Sequence, residues 1–584
     1  MAVDGAAPTI GRWAPGLVLI RNYRLTWLRK DVVAGVVLST LLVPQGMAYA
    51  ELAGLPPITG LYTTVICLLG YALFGPSRIL VLGPDSSLGP MIAAVVIPIA
   101  GSGGDPAVAI GLASMLALLV GVMMTAAGIA KLGFVADLLS KPTQIGYMNG
   151  LALTILVSQL PKLCGFSVDG DGLIAEAAGF LGGLADGEVV AAAAAVGLVT
   201  LAVILALQRW LPKIPAVLLG VLTAISATWL FDLAARGVSL VGPLPEGFSP
   251  ITLPRASWEQ FGLLAVAAVG ITLVSLTDTI STASAFAART GQEVRGNQEM
   301  IGIGAANLGA SLFQGFPVST SGSRTAVAEQ SGARSQLTGV VGAAIILLML
   351  LFVPGLLRDL PQPALAAVVI AASLSLADLP GTALLWRRRR MEFAVCVAAF
   401  LGVALLGVLP GILVAVGLSV LNVFRRVWLP YQTQLGRAPG VPGYHDLRAY
   451  PDAEHLPGLV LFRFDAPLIF ANSRGFRDRI RRLAAAEPRP RWIVVAAEPI
   501  TDIDTTAADM LEDLDEELNA QGIQLVFAEL KSPVRDKIDR YQLTRTIDPA
   551  HFFPTINDAV GAYEAETGAQ WTAASDTLDR EPGR

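Results

Sequence analysis

Phe316-Pro317-Val318-Ser319-Thr320-Ser321-Gly322-Ser323-Arg324-Thr325 is the stretch on which the fold turns. Pro317 and Gly322 interrupt an apolar chain at this point. The segment that follows, Ser323–Ser331, is helical in pattern but too short to cross a bilayer, which takes about 20 residues. An earlier stretch repeats the design: extended-looking Ser77–Leu82, the Gly83-Pro84 turn, then the short helix Ser86–Ala100. These are the third and tenth of the chain's apolar elements, the third in each half of seven. Paired short segments in corresponding places point to a transporter site between inverted repeats, where two half-helix N-termini face each other. Free backbone N–H groups and positive dipole ends favour an anion there. Two ordinary kinked helices would show the same spacing.

Composition agrees with a membrane body. The 584 residues are 54% hydrophobic and 15% charged, against about 25% charged in soluble domains. The charge is uneven: 41 charged residues lie in the 144 from Val441 onward, leaving 46 for the first 440. An apolar body is thus followed by a soluble tail. Cys67, Cys164 and Cys396 are far apart, which excludes a disulfide framework or a cysteine metal cluster. All three histidines lie in the tail, and net charge −5 carries no nucleic-acid footprint.

The patterning predicts helices near 31–50, 57–74, 86–100, 106–130, 143–161, 189–208, 214–232, 260–284, 297–313, 322–331, 335–356, 363–378, 391–409 and 411–428, with a break at Leu409-Pro410-Gly411. With the N-terminus inside, 17 Lys and Arg fall in inner loops and 4 in outer ones. That asymmetry predicts an even number of spans and two cytoplasmic termini. The expected layout is a cytoplasmic segment 1–30, a transport domain 31–430, a linker 431–455, an α/β domain 456–566 and a tail 567–584.

Val43-Pro44-Gln45-Gly46-Met47-Ala48-Tyr49-Ala50, then Ala53-Gly54-Leu55-Pro56-Pro57 and Gly60-Leu61-Tyr62, resembles the sulfate permease (SulP) signature. Gly83-Pro84-Asp85 and Ser323-Arg324-Thr325 match further landmarks, and the tail resembles the STAS domain that such proteins carry. The resemblance implies about 14 transmembrane helices in seven-plus-seven inverted repeats, shared with uracil permeases. It implies a core domain of helices 1–4 and 8–11 moving against a gate of 5–7 and 12–14, an anion site between helices 1, 3, 8 and 10, and commonly a homodimer.

The expected anion site comprises Gln45, Tyr49, Pro84, Asp85, Ser86, Ser321, Ser323, Arg324 and Thr325. Arg324 is an intramembrane charge, which by default marks function; the alternative is an ion pair with Asp85, Asp278 or Glu329. Gln45 and Tyr49, four apart, share a helix face and offer an amide and a hydroxyl, or serve as helix–helix glue. Asp85 would repel an anion, so it reads as a helix cap or a proton acceptor. Asp278, with Thr282 one turn on, is the expected coupling residue for a proton or sodium ion; otherwise it neutralises Arg324.

In the tail, Leu459–Phe464, Leu468–Ala471, Arg491–Ala496 and Ile523–Ala528 read as strands, and Gly475–Ala486 and Ala507–Gln521 as helices. Asp504-Thr505-Thr506-Ala507 resembles the STAS Asp-Ser-Thr-Gly loop, in which the serine is phosphorylated; a helix cap is the simpler reading.

The whole predicts secondary transport of an inorganic anion, most simply sulfate, across the cytoplasmic membrane. Bicarbonate transport, a passive anion channel and an anion sensor signalling through STAS are the rivals. No enzyme activity, cofactor or nucleic-acid partner is expected; the partners are the anion, the lipid bilayer, a second copy and a cytoplasmic protein on STAS.

Overall fold

The computed structural model describes residues 14–572 apart from 102–104, 134–139, 169–171, 212–213, 246 and 291–293. The chain forms two compact units, Met1–Val420 and Leu421–Arg584.

All fourteen helices expected before residue 430 have counterparts, the last of them crossing the boundary between the units. They are α2 (Leu28–Leu52), α3 (Pro57–Phe74), α4 (Gly89–Ala100), α5 (Pro106–Ile129), α6 (Lys141–Cys164), α8 (Ala191–Trp210), α9 (Ala216–Phe231), α10 (Trp258–Thr290), α11 (Gly296–Leu312), α12 (Gly322–Gln330), α13 (Leu337–Phe352), α14 (Gln362–Leu376), α16 (Arg390–Leu406) and α17 (Val408–Trp428). Three further helices were not in the sequence reading: α1 (Pro15–Arg21), α7 (Leu173–Asp186) and α15 (Leu379–Arg388). They are too short to span, so a search for long apolar runs passes over them.

The break between the last two helices falls at Gly407, not at Leu409-Pro410-Gly411. Gly407 has φ +91°, which glycine adopts without a Cβ clash. Pro410 sits in the first turn of α17, where its missing N–H leaves no bond unmade.

The helices pack in two groups. α2, α3, α5, α11 and α13 pack on one another, with α4, α10 and α12 set among them. α6, α8, α9, α14 and α16 form the other group, joined to the first mainly through α2. This is the expected division into core and gate. Small residues bring α2 and α3 together: a Cβ on Gly60 would lie 1.9 Å from the Gly46 carbonyl oxygen. Gly60 of the Gly60-Leu61 motif is therefore needed for backbone contact, while a Cβ on Gly46 would be tight, 3.1 Å from the Thr64 hydroxyl.

The second unit is a six-stranded sheet in the order β4-β3-β5-β6-β7-β8. β3 (Gln432–Arg437) and β4 (Tyr444–Asp446) are antiparallel additions; β5 (Leu459–Phe464), β6 (Trp492–Ala496), β7 (Gln524–Ala528) and β8 (Phe552–Phe553) run parallel. The interleaved helices are α18 (Ser473–Ala484), α19 (Thr505–Asn519), α20 (Ser532–Arg540) and α21 (Ile556–Thr567). The buried face of α19 carries Met510, Leu511, Leu514 and Leu518, as its periodicity requires.

Two readings need correction. Residues 431–455 are not a plain linker, because β3 and β4 belong to the sheet. Leu468–Ala471 is not a strand: Leu468 makes one bridge to Ile503, and the chain then turns. The Asn472 side chain closes that turn, accepting from the Ile469 N–H and donating to the Pro467 carbonyl. A short polar side chain that bonds nearby backbone competes with strand pairing.

Candidate functional site

The two interrupted segments meet as a two-residue antiparallel ribbon. β1 (Leu82–Gly83) pairs with β2 (Ser319–Thr320), Leu82 opposite Thr320 and Gly83 opposite Ser319. The Ser321 N–H extends the ribbon to the Val81 carbonyl at 3.1 Å, and the Thr325 hydroxyl accepts from the Val81 N–H at 3.0 Å. α4 and α12 thus start from opposite ends of one small ribbon. Tertiary pairing holds extended a stretch whose backbone groups would otherwise be unsatisfied in an apolar interior.

A polar side chain orders the approach to each half-helix, but only α12 has a side-chain N-cap; the N-cap of α4, Leu88, has none. Asp85 accepts from the Ser87 N–H at 3.1 Å and the Ser87 hydroxyl at 2.7 Å. Its carbonyl receives the Leu88 and Gly89 N–H groups, so regular helix begins at Gly89, three residues later than Ser86. Ser321 caps α12 and lies 3.1 Å from the Ser323 hydroxyl.

Arg324 is the largest fully buried side chain in the protein's described residues, 1% exposed. Its Nη2 stands 3.6 Å from Asp85 Oδ1, an ion pair beyond hydrogen-bond length. Nε, Nη1 and Nη2 are all buried without a hydrogen-bond partner among the described residues. A guanidinium has five N–H donors, and leaving them unmet in the interior is costly. The headgroup packs on the ribbon itself: a Cβ on Gly83 would lie 2.5 Å from Nη1.

A cavity of about 570 Å³ opens beside this group. Val37, Leu41 and Gln45 line it from one face of α2, Ser323, Arg324 and Val327 from α12, and Ala216 and Val217 from α9. Of the sequence-predicted anion residues, Gln45, Ser323 and Arg324 come together here. Tyr49, Pro84, Ser86, Ser321 and Thr325 are buried and do not line the cavity; Asp85 touches it only through Arg324. Gln208, Gln330 and Ser331 also line it and were missed. A helical period drawn from Ser323 through Val327 to Gln330 and Ser331 would have found the last two.

Asp278, on α10, does not pair with Arg324. Its Oδ2 is 3.1 Å from the Ser87 hydroxyl, the same hydroxyl that bonds Asp85. Ser87 is a fourth missed residue, hidden in the sequence as one of two adjacent serines. One hydroxyl has one proton to donate, so it satisfies one carboxylate at a time. Arg324, Asp85, Ser87 and Asp278 form a continuous polar chain from cavity to α10. Thr282 faces the start of α12 instead: its Oγ1 would lie 3.9 Å from a Cβ on Gly322, and no hydrogen bond joins it to Asp278 among the described residues.

In the tail, Asp504 caps α19 by accepting from the Ala507 N–H at 2.8 Å, and its other oxygen accepts from the Phe470 N–H at 2.7 Å. Thr505 and Thr506 are exposed in the first turn.

Residues 28–399 match the sulfate permease family and residues 450–559 the STAS domain. A probable sulfate transporter of Mycobacterium tuberculosis is 41% identical over 556 residues, covering 95% of this chain and 99% of that protein. Sulfate transporter 1.3 of Arabidopsis thaliana is 30% identical over 566 residues, covering 92% and 85%. The chain belongs to the sulfate permease family and is a multi-pass membrane transporter by family. Murine solute carrier 26 family member A9, an anion transporter solved in the inward-facing state, shares the fold at TM-score 0.88 with 22% identity, covering 97% of this chain and 96% of that one. The transmembrane domain of a cyanobacterial bicarbonate transporter superposes at TM-score 0.59 with 21% identity, covering 68% and 98%.

Proposed function

We propose that this chain is a secondary active transporter that takes up sulfate across the cytoplasmic membrane, with both termini cytoplasmic. One observation carries the reading: a buried guanidinium, without hydrogen-bond partners among the described residues, beside a cavity between core and gate helices. A tetrahedral oxyanion supplies the acceptors those N–H groups lack, and Gln45 and Ser323 add a neutral amide and a hydroxyl. The 41% identical relative, named a probable sulfate transporter, supports sulfate over other anions.

Asp278 carries the coupling ion, a proton or sodium. Sulfate entering against a negative-inside potential opposes about 2.3 kcal/mol per charge per 100 mV, so a co-transported cation is required for accumulation. The polar chain supplies the link. An anion on Arg324 draws the guanidinium from Asp85; Asp85 then competes for the Ser87 proton, and a cation at Asp278 is favoured. The tail acts in regulation or assembly, with a homodimer as the working unit and a cytoplasmic protein as the partner of STAS.

The test is uptake of labelled sulfate by purified protein in liposomes, with proton and sodium gradients imposed separately and unlabelled bicarbonate, chloride and dicarboxylates as competitors. Accumulation above equilibrium under one gradient supports the proposal. Flux that only equilibrates the anion means a channel, and preferential competition by bicarbonate reassigns the substrate.

A further inference from the structure

The N-terminal end of α2 carries a surface that the transport site does not use. Arg21, Arg24, Arg29 and Lys30 are exposed, as is Arg78 from the segment between α3 and β1. The Arg24 and Arg78 guanidiniums lie over the same Trp27 ring, at 5.7 and 5.9 Å from its centroid. Tyr23 packs edge-on against that indole at 5.9 Å. Two charges far apart in sequence are thereby gathered onto one aromatic.

The carboxylate in the first turn of α2 leaves this charge unneutralised. Asp31 is fully buried and already accepts from the Tyr23 hydroxyl, the Arg334 and Ser335 N–H groups, and the Ser335 and Thr338 hydroxyls. Among the described residues, none of the five basic side chains is ion-paired to a carboxylate.

Between the charges the surface is apolar: Leu25 is 80% exposed, Val33 50% and Leu28 44%. Leucines standing out within a turn of four cations suit neither water nor a nucleic acid. They suit the level of a bilayer at which acyl chains meet phosphate headgroups. We propose that this surface binds an anionic phospholipid, with the phosphate at Arg24, Trp27 and Arg78 and the acyl chains along Leu25, Leu28 and Val33. Charge complementarity selects the lipid: five uncompensated cations favour a phosphodiester over a zwitterionic headgroup, by about fivefold in affinity per basic residue near the surface.

Native mass spectrometry of the delipidated full-length protein tests this, by titration with phosphatidylglycerol and with phosphatidylcholine. The first phosphatidylglycerol should bind at least tenfold tighter than phosphatidylcholine. Arg24→Gln with Arg78→Gln should remove most of that preference, roughly a twenty-fold change. Arg24→Lys with Arg78→Lys keeps the charge and should keep most of the preference. Arg358→Gln, at an exposed ion pair elsewhere, should leave it unchanged. If the double variant misfolds, Arg78→Gln alone should lower the preference about fivefold. Equal binding of the two lipids by the wild type, or an unchanged preference in the folded Gln variants, overturns the proposal. Sulfate binding measured on the same samples is independent of this outcome, so the transport reading stands or falls separately.

Discussion

Replacing Arg324 by alanine separates a ligand from a structural charge. The guanidinium is 1% exposed; among the described residues none of its three nitrogens has a hydrogen-bond partner, and its ion pair to Asp85 is long at 3.6 Å. A bound sulfate would receive at least one charge-assisted hydrogen bond from it, worth about 1.5–3 kcal/mol. Its loss corresponds to a roughly ten- to hundred-fold weaker affinity. The fold should tolerate the change better than a fully buried pair would. Asp85 keeps its Ser87 hydrogen bonds and is itself 13% exposed. Asp85→Asn should act in the opposite direction. It removes the carboxylate that competes with the anion for Arg324, so affinity should rise several-fold. Equilibrium binding of labelled sulfate to detergent-purified variants is the assay, with elution as a monodisperse peak as the control for folding. An Arg324→Ala protein that elutes normally and binds within twofold of wild type would refute the reasoning, as would Asp85→Asn binding more weakly.

Three other expectations follow from particular contacts. Gly83→Ala should weaken sulfate binding without unfolding the protein, because the new Cβ falls 2.5 Å from Arg324 Nη1 and the flexible headgroup must move; binding equal to wild type would mean the guanidinium is free to shift at no cost. Asp278→Asn should abolish gradient-driven accumulation of sulfate in liposomes while equal-concentration exchange persists, since a gradient acts only through an ion bound differently in two states; continued accumulation would return Asp278 to a structural role. Burial pushes the Asp515 carboxyl of α19 up to about 6. A carboxyl raised in the folded state stabilises the fold below its unfolded value near 3.8, and that contribution is lost as pH climbs through 6. Asp515→Asn should therefore raise the melting temperature of the tail unit, residues 421–584, at pH 8 more than at pH 4, by an amount equivalent to about 2 kcal/mol; equal shifts at both pH values would contradict this.

The sequence by itself determined the class and most of the layout. Long apolar runs, the charge step near residue 440 and the two Pro/Gly-broken segments depend only on local composition and period. The fourteen helices and the paired half-helices could accordingly be read off before any contact was known. Arg324 was equally legible, because a charge in an apolar segment needs a reason to be there. The short helices α1, α7 and α15 were not, since each is too short to register as a spanning apolar run. Only the tertiary structure decided who meets whom. The β1–β2 ribbon joins residues more than two hundred positions apart, and its hydrogen bonds exist only once both halves have folded. That pairing sets Asp85, rather than Asp278, against Arg324 and leaves Ser87 between the two carboxylates. Gln208 enters the cavity from a different helix group, and no sequence period reaches across that gap. Periodicity records which face of a helix is buried; the partner on the other side is fixed by packing, which is a property of the whole chain.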